Sequence, residues 1–151
     1  MDRTQKTEIV NMCMICDGDR VLVQDKVHHE WGGLTFPGGH VEVTESFTDA
    51  VIREVFEETG LVLSCPMLCG IKDWVNDDSS RYMVLFYKTD KFSGQLRSSP
   101  EGPVFWIRLE ELLSSNRLAL DMKDMIQVFL RDDLSEFFYY KQDGHWSYTL
   151  K

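Results

Sequence analysis

The chain is short of positive charge: 16 Lys and Arg against 25 Asp and Glu leave a net charge of −9 over 151 residues. That argues against binding a nucleic-acid polymer, which needs a basic stripe to neutralise phosphates. A small anionic ligand stays open if a metal ion supplies the positive charge. Long apolar runs are also missing. None approaches the roughly 18 residues of a membrane span, and the start lacks the zones of a signal peptide, so a cytoplasmic protein with no membrane contact is expected. Only four prolines and ten glycines accompany 43% hydrophobic residues. This excludes a disordered or fibrous chain and predicts one folded domain over 1–151. Of the four cysteines, Cys13 and Cys16 lie in an apolar run that reads as a buried strand, and Cys65 and Cys69 have a different spacing. Reduced core thiols are expected, not a zinc site.

What is present reads as alternating strands and helices. Glu8 to Cys16 and Arg20 to Gln24, parted by Asp17-Gly18-Asp19, predict a β-hairpin. A loop rich in His and Gly then leads through Leu34-Thr35-Phe36 into Pro37-Gly38-Gly39, a candidate binding turn. Ser46 to Thr59 predicts a helix, with Ser46 and Asp49 as a capping pair and Gly60 as its stop. Strand-like runs follow at Leu61 to Leu63, Cys69 to Val75, Tyr82 to Lys88 and Val104 to Arg108. A second helix is expected at Leu120 to Leu130, and a closing hairpin at Phe137 to Tyr140 and Trp146 to Leu150. The pattern predicts a layered α/β or α+β domain.

On the first helix, at about 100° per residue, Glu54, Glu57 and Glu58 fall within an arc of roughly 100°, while Val51, Ile52, Val55 and Phe56 share a separate arc of about 140°. Three carboxylates at these spacings repel one another, and they sit near a helix C-terminus that already disfavours negative charge. The arrangement asks for a cation. A hard divalent ion with oxygen ligands, Mg²⁺ with Mn²⁺ as an alternative, fits, because such ions leave positions open for substrate phosphate. A solvated acidic face is the plain alternative for three such residues in isolation.

The context is more specific. Gly39, Glu45 and the run Arg53-Glu54-Val55-Phe56-Glu57-Glu58-Thr59-Gly60-Leu61 stand in one 23-residue register. This resembles the complete Nudix box, Gly-x5-Glu-x7-Arg-Glu-(apolar)-x-Glu-Glu-x-Gly-(apolar). The resemblance implies a Nudix α/β/α sandwich with a mixed sheet between helices. It also implies Mg²⁺-dependent attack of water on a phosphorus atom of a nucleotide-like diphosphate. By the same resemblance Glu54, Glu57, Glu58 and the Gly38 carbonyl would hold metal. Arg53 would point away from that face and pair with Glu45 as scaffold. The general base would be Glu54, Glu57 or Glu101.

Leu34 to Gly39 also resembles the MutT branch, which hydrolyses oxidised purine nucleoside triphosphates to monophosphate and pyrophosphate. The likeness implies His29, Phe36, Pro37 and Gly38 in the nucleotide site. The base-reading segment of that branch falls at residues 119–123, where an expected asparagine is absent and Asp121 is the candidate. Hydrolysis of ADP-ribose or a nucleotide sugar, and a non-catalytic nucleotide-binding module, remain as alternatives. Val75, Asp77 and Asp78 stand where two competing branches carry proline and tyrosine markers. Trp31 and Trp74 are open between base stacking and core, and Trp106 is expected in the core. The aromatic C-terminal hairpin suits either a core or a homodimer interface.

Overall fold

A computed structural model describes residues 1–26, 30 and 32–151. The central strand, β1 (Thr7–Asp17), runs parallel to β6 (Arg81–Thr89) over nine paired positions, from Thr7 opposite Arg81 to Ile15 opposite Thr89. It also meets β2 (Arg20–Asp25) antiparallel, but only at Cys16–Val21 and Asp17–Arg20, so the expected hairpin is confined to its turn. β2 pairs antiparallel with β3 (Leu34–Thr35) and with β8 (Val104–Arg108). On the far side, β5 (Met67–Val75) lies antiparallel to β6, then β9 (Glu136–Gln142) and β10 (His145–Leu150) close the sheet as a hairpin. The result is a mixed sheet ordered β10-β9-β5-β6-β1-β2-β3, with a separate small pair of β4 (Leu61–Leu63) and β7 (Phe92–Gly94).

β1 reads as a continuous apolar run because both of its faces are covered. Val10 and Met14 pack with Met122, Met125, Ile126 and Phe129 of α3 (Met122–Leu130), and Cys13 and Ile15 pack with Val51 and Val55 of α1 (Phe47–Thr59). Helices therefore lie on both faces of the sheet, the α/β/α sandwich. Burying a side chain such as Phe129 contributes about 1.5–3 kcal/mol, and these two clusters hold the sheet between the helices. No helix among the described residues is long and apolar enough to cross a membrane.

α1 starts and stops where its sequence says: Ser46 Oγ accepts the Asp49 N–H at 3.0 Å, and the Gly60 N–H donates to the Phe56 carbonyl at 2.8 Å. Its apolar arc is narrower than expected. Phe56 is 46% exposed, and the Arg97 guanidinium, not the core, covers its ring at 5.4 Å. Residues 95–97 cross that flank: Arg97 N–H donates to the Thr59 carbonyl at 2.8 Å. The six-residue α2 (Leu109–Ser114) and β7 are additional elements, too short to leave a periodic signal. Cys13 is buried, but Cys65 is exposed, contrary to the expectation of a core thiol; all four thiols are free.

Candidate functional site

The Pro-Gly-Gly turn is bound to β1 by its backbone. Cys13 N–H donates to the Pro37 carbonyl at 2.9 Å, and Asn11 N–H to the Gly39 carbonyl at 2.8 Å. The approach is too close for side chains: a Cβ on Gly38 would collide with the Asn11 carbonyl, and one on Gly39 with the Glu54 carboxylate. Glycine here lets the turn lie between β1 and α1. Asn11, 3% exposed, accepts the Gly39 N–H at 3.3 Å, while its Nδ2 has no partner among the described residues.

A cleft of about 1020 Å³ opens beside this turn. It gathers Phe36, Gly38, Glu54, Glu58, Glu101 and Asp121 from the expected site. Pro37 and Glu57 are not among its lining residues, and Glu57 has a side chain 58% exposed. His29, with His28 and Trp31, lies outside the described residues. Phe36 is only 2% exposed and meets Phe129 edge-on at 5.2 Å, so it forms floor more than stacking surface.

Glu58 is the most constrained carboxylate. It is 6% exposed, accepts the Gly38 N–H at 2.9 Å and lies 3.8 Å from Lys26 Nζ. Burial pushes its pKa up to about 7, and Glu54 and Glu101 add repulsion, against the pull of Lys26 and the Gly38 N–H. Lys26 also stands 3.9 Å from Glu101, so one ammonium sits between carboxylates on opposite sides of the cleft. A cation is thus already favoured at this position.

Arg53 does not point away from the acidic face. Its Nη2 meets Glu45 Oε1 at 2.5 Å and its Nε meets Oε2 at 3.0 Å, while Nη1 turns back to Glu54 at 2.9 Å and Glu57 at 3.3 Å. The guanidinium is wide enough to serve both sides of the helix. Its hydrogen bonds, then the Glu42 N–H, hold Glu45 down at about 2.

Among the described residues no three acid, His or Cys side chains converge tightly enough to form a metal cage. The donor chemistry nonetheless fits a hard divalent ion: Glu54 and Glu58 are oxygen donors one helical turn apart, and burial leaves Glu58 short of positive charge. Mg²⁺ needs few protein ligands when substrate phosphate completes its shell.

At the opposite end of the cleft the sequence offers Trp74 as a stacking candidate and Asp121 as a base reader, but gives no role to Lys72. Lys72, Trp74, Tyr82, Tyr139 and Trp146 all line that end. Trp74 stacks on Tyr82 with ring centroids 4.4 Å apart and donates to Asn76 at 2.9 Å. Trp106, by contrast, packs half-buried against the α1-side core and Phe92, away from the cleft. Alternation along β5 and β6 marks Lys72, Trp74 and Tyr82 as sharing a sheet face, the one signal that could have found them.

The sequence matches the family model of the NUDIX domain over residues 6–129. YvcI, a Nudix hydrolase of Bacillus subtilis, is 34% identical over 102 residues, covering 64% of this chain and 63% of YvcI, so the alignment spans under two thirds of that relative. An ADP-ribose pyrophosphatase of Methanocaldococcus jannaschii is 27% identical over 116 residues, 76% of this chain and 68% of that protein. YtkD of B. subtilis, provisionally assigned as an 8-oxo-dGTP diphosphatase, is 36% identical over 101 residues, 65% and 64% of the two chains. The crystal structure of a MutT protein of Bacillus halodurans has a TM-score of 0.77 at 32% identity, covering 95% of this chain and 97% of that one. The chain belongs to the Nudix family of hydrolases and is of its MutT type.

Proposed function

We propose that this protein hydrolyses an oxidised purine nucleoside triphosphate, such as 8-oxo-dGTP, to the monophosphate and pyrophosphate, with Mg²⁺ as cofactor and Mn²⁺ as a substitute. The observation that carries the reading is one cleft with an acidic wall, Glu54 and Glu58, and an aromatic end, Trp74 and Trp146. The first suits metal-bound phosphates and the second a flat base. Glu54, Glu58 and the Gly38 carbonyl would hold the metal, with Glu57 joining from the rim. The bound ion would supply charge neutralisation for the phosphates and a more acidic water.

The chain's own groups do the remainder. Water adds to one phosphorus, the bridging P–O bond breaks, and the water proton passes to a carboxylate. Of the three candidate bases, Glu54 and Glu101 line the cleft. Glu54 is held by Arg53 on the metal side, so Glu101, across from Glu58 and linked to it through Lys26, takes the proton. Asp121 accepts from the base. The test is release of phosphate and pyrophosphate with Mg²⁺ across canonical and oxidised nucleoside triphosphates, ADP-ribose, nucleotide sugars and dinucleoside polyphosphates. Preference for the oxidised purine supports the reading; turnover confined to another compound replaces the substrate.

A further inference from the structure

The family match ends at residue 129, yet one wall of the cleft is built beyond it. The β9–β10 hairpin docks parallel on β5, Lys72 lying opposite Phe137. Alternation puts Phe137, Tyr139 and Lys141 on one face, opposite Leu150, Tyr148 and Trp146. Tyr139 meets Trp146 edge-on at 5.8 Å. Two hydroxyls moor this face to the start of α3: Tyr139 donates to Asp121, and Tyr148 to Asp124 at 2.6 Å.

Lys72 completes the wall. Its side chain is 14% exposed, its ammonium lies 3.9 Å from Asp121 Oδ2, and the Tyr139 and Trp74 rings are 5.0 and 5.6 Å away. Burial lowers its pKa while Asp121 opposes the change. The Tyr139 and Lys72 contacts both fall on Asp121 Oδ2, so Oδ1 is the oxygen left to accept from a ligand among the described residues. Trp146 carries the Lys141 ammonium 5.0 Å over its ring yet is 47% exposed, and that remaining area at the cleft surface is what a flat ligand would cover.

We propose that the hairpin is a selectivity wall: Trp146 packs on the face of a base while Lys72 and Asp121 read its edge, favouring bases with a ring N–H beside a carbonyl oxygen. An ammonium pairs with a carbonyl such as guanine O6, and a carboxylate accepts from the adjoining N–H. Adenine offers an unprotonated ring nitrogen at the corresponding place. This inference rests on the reading that the cleft takes a nucleotide, and it adds Lys72 and Trp146 as specificity-determining residues.

Calorimetric binding of guanosine and adenosine monophosphates, which needs no turnover, tests it in wild type, Lys72→Met, Trp146→Ala and, on the opposite face of the hairpin, Tyr140→Ala. Wild type should bind the guanine compound at least tenfold tighter. Lys72→Met should erase that ratio, Trp146→Ala should weaken both about tenfold, and Tyr140→Ala should change neither. The same series is read as kcat and KM on guanine and adenine nucleoside triphosphates and on inorganic tripolyphosphate, which has no base. Equal wild-type affinities, an unchanged ratio in Lys72→Met, or losses as large on tripolyphosphate as on nucleotides would overturn the wall. Selective binding without turnover of any triphosphate would instead remove the proposed reaction and keep the wall.

Discussion

The two ends of the cleft are assembled in opposite ways. The metal-holding part of the acidic end comes from one continuous stretch, Gly38 to Glu58, in which a glycine turn lies against β1 and the helix that follows returns its carboxylates to the same place, with Lys26 and Glu101 added from elsewhere in the chain. The aromatic end is collected from β5, the turn before α3 and the C-terminal hairpin, which meet only in the folded sheet. Charge is dense and metal-seeking at the first and partnered at the second, where Lys72 pairs with Asp121 and Lys141 with Asp77. The metal platform can thus be fixed by local spacing, whereas the proton acceptor and selectivity depend on distant segments being brought into register.

The sharpest way to separate the ends is Glu58→Gln. It should keep the fold and lower Mg²⁺-dependent kcat/KM about a thousandfold, while the metal-free protein melts higher than wild type at pH 8. The folded pKa of Glu58 is raised, so its favourable contribution is full below its ordinary value of 4.5 and lost as pH rises through about 7. A metal-free melting point at pH 8 no higher than wild type would contradict that account. Next in size, Gly38→Ala should cost about 3 kcal/mol in urea unfolding, because its Cβ meets the β1 backbone.

The same titration predicts metal affinity. Between pH 5.5 and 7, Mg²⁺ binding should tighten by about sixfold per unit as Glu58 loses its proton, and Glu58→Gln should flatten the slope; calorimetry with varied buffers would show the proton released. Arg53→Lys should lower kcat/KM about tenfold, since lysine cannot span Glu45 and Glu54 together. The Glu45 pairing contributes stability above the ordinary carboxyl value of 4.5, lost as pH falls through about 2, so acid unfolding should start earlier in that variant. The smallest effect belongs to the aromatic end: Tyr148→Phe removes one hydroxyl tie to Asp124 and should cost about 1 kcal/mol in thermal unfolding.

The contrast also explains what could be read in advance. Ser46, Asp49 and Gly60 bound α1 by short-range hydrogen bonds, so its limits were legible, and the 3.6-residue period put Glu54 and Glu58 together. Phe56 lies outside the core, which was not legible because a helical wheel does not show which segment, here the one carrying Arg97, crosses its flank. Arg53 was misplaced because its reach exceeds its position on the wheel. Lys72 was silent for a different reason: a lysine in a strand reads as solvent-facing until the hairpin beside β5 covers it. Asp121 was found only through family likeness, and its Tyr139 partner lies in an element whose docking no local pattern announces.

The attachment of the hairpin to the sheet edge has an evolutionary consequence. Three register pairs with β5, two tyrosine hydroxyls, the Lys141–Asp77 pair and the buried Phe137 join it to the remainder, while α1 rests on β1 and β4 across the intervening β6. Lineages could exchange the segment after α3 and so retune which compound is admitted, leaving the reaction untouched. A graft from another Nudix protein at that junction would do in one step what many scattered substitutions in the catalytic helix could not.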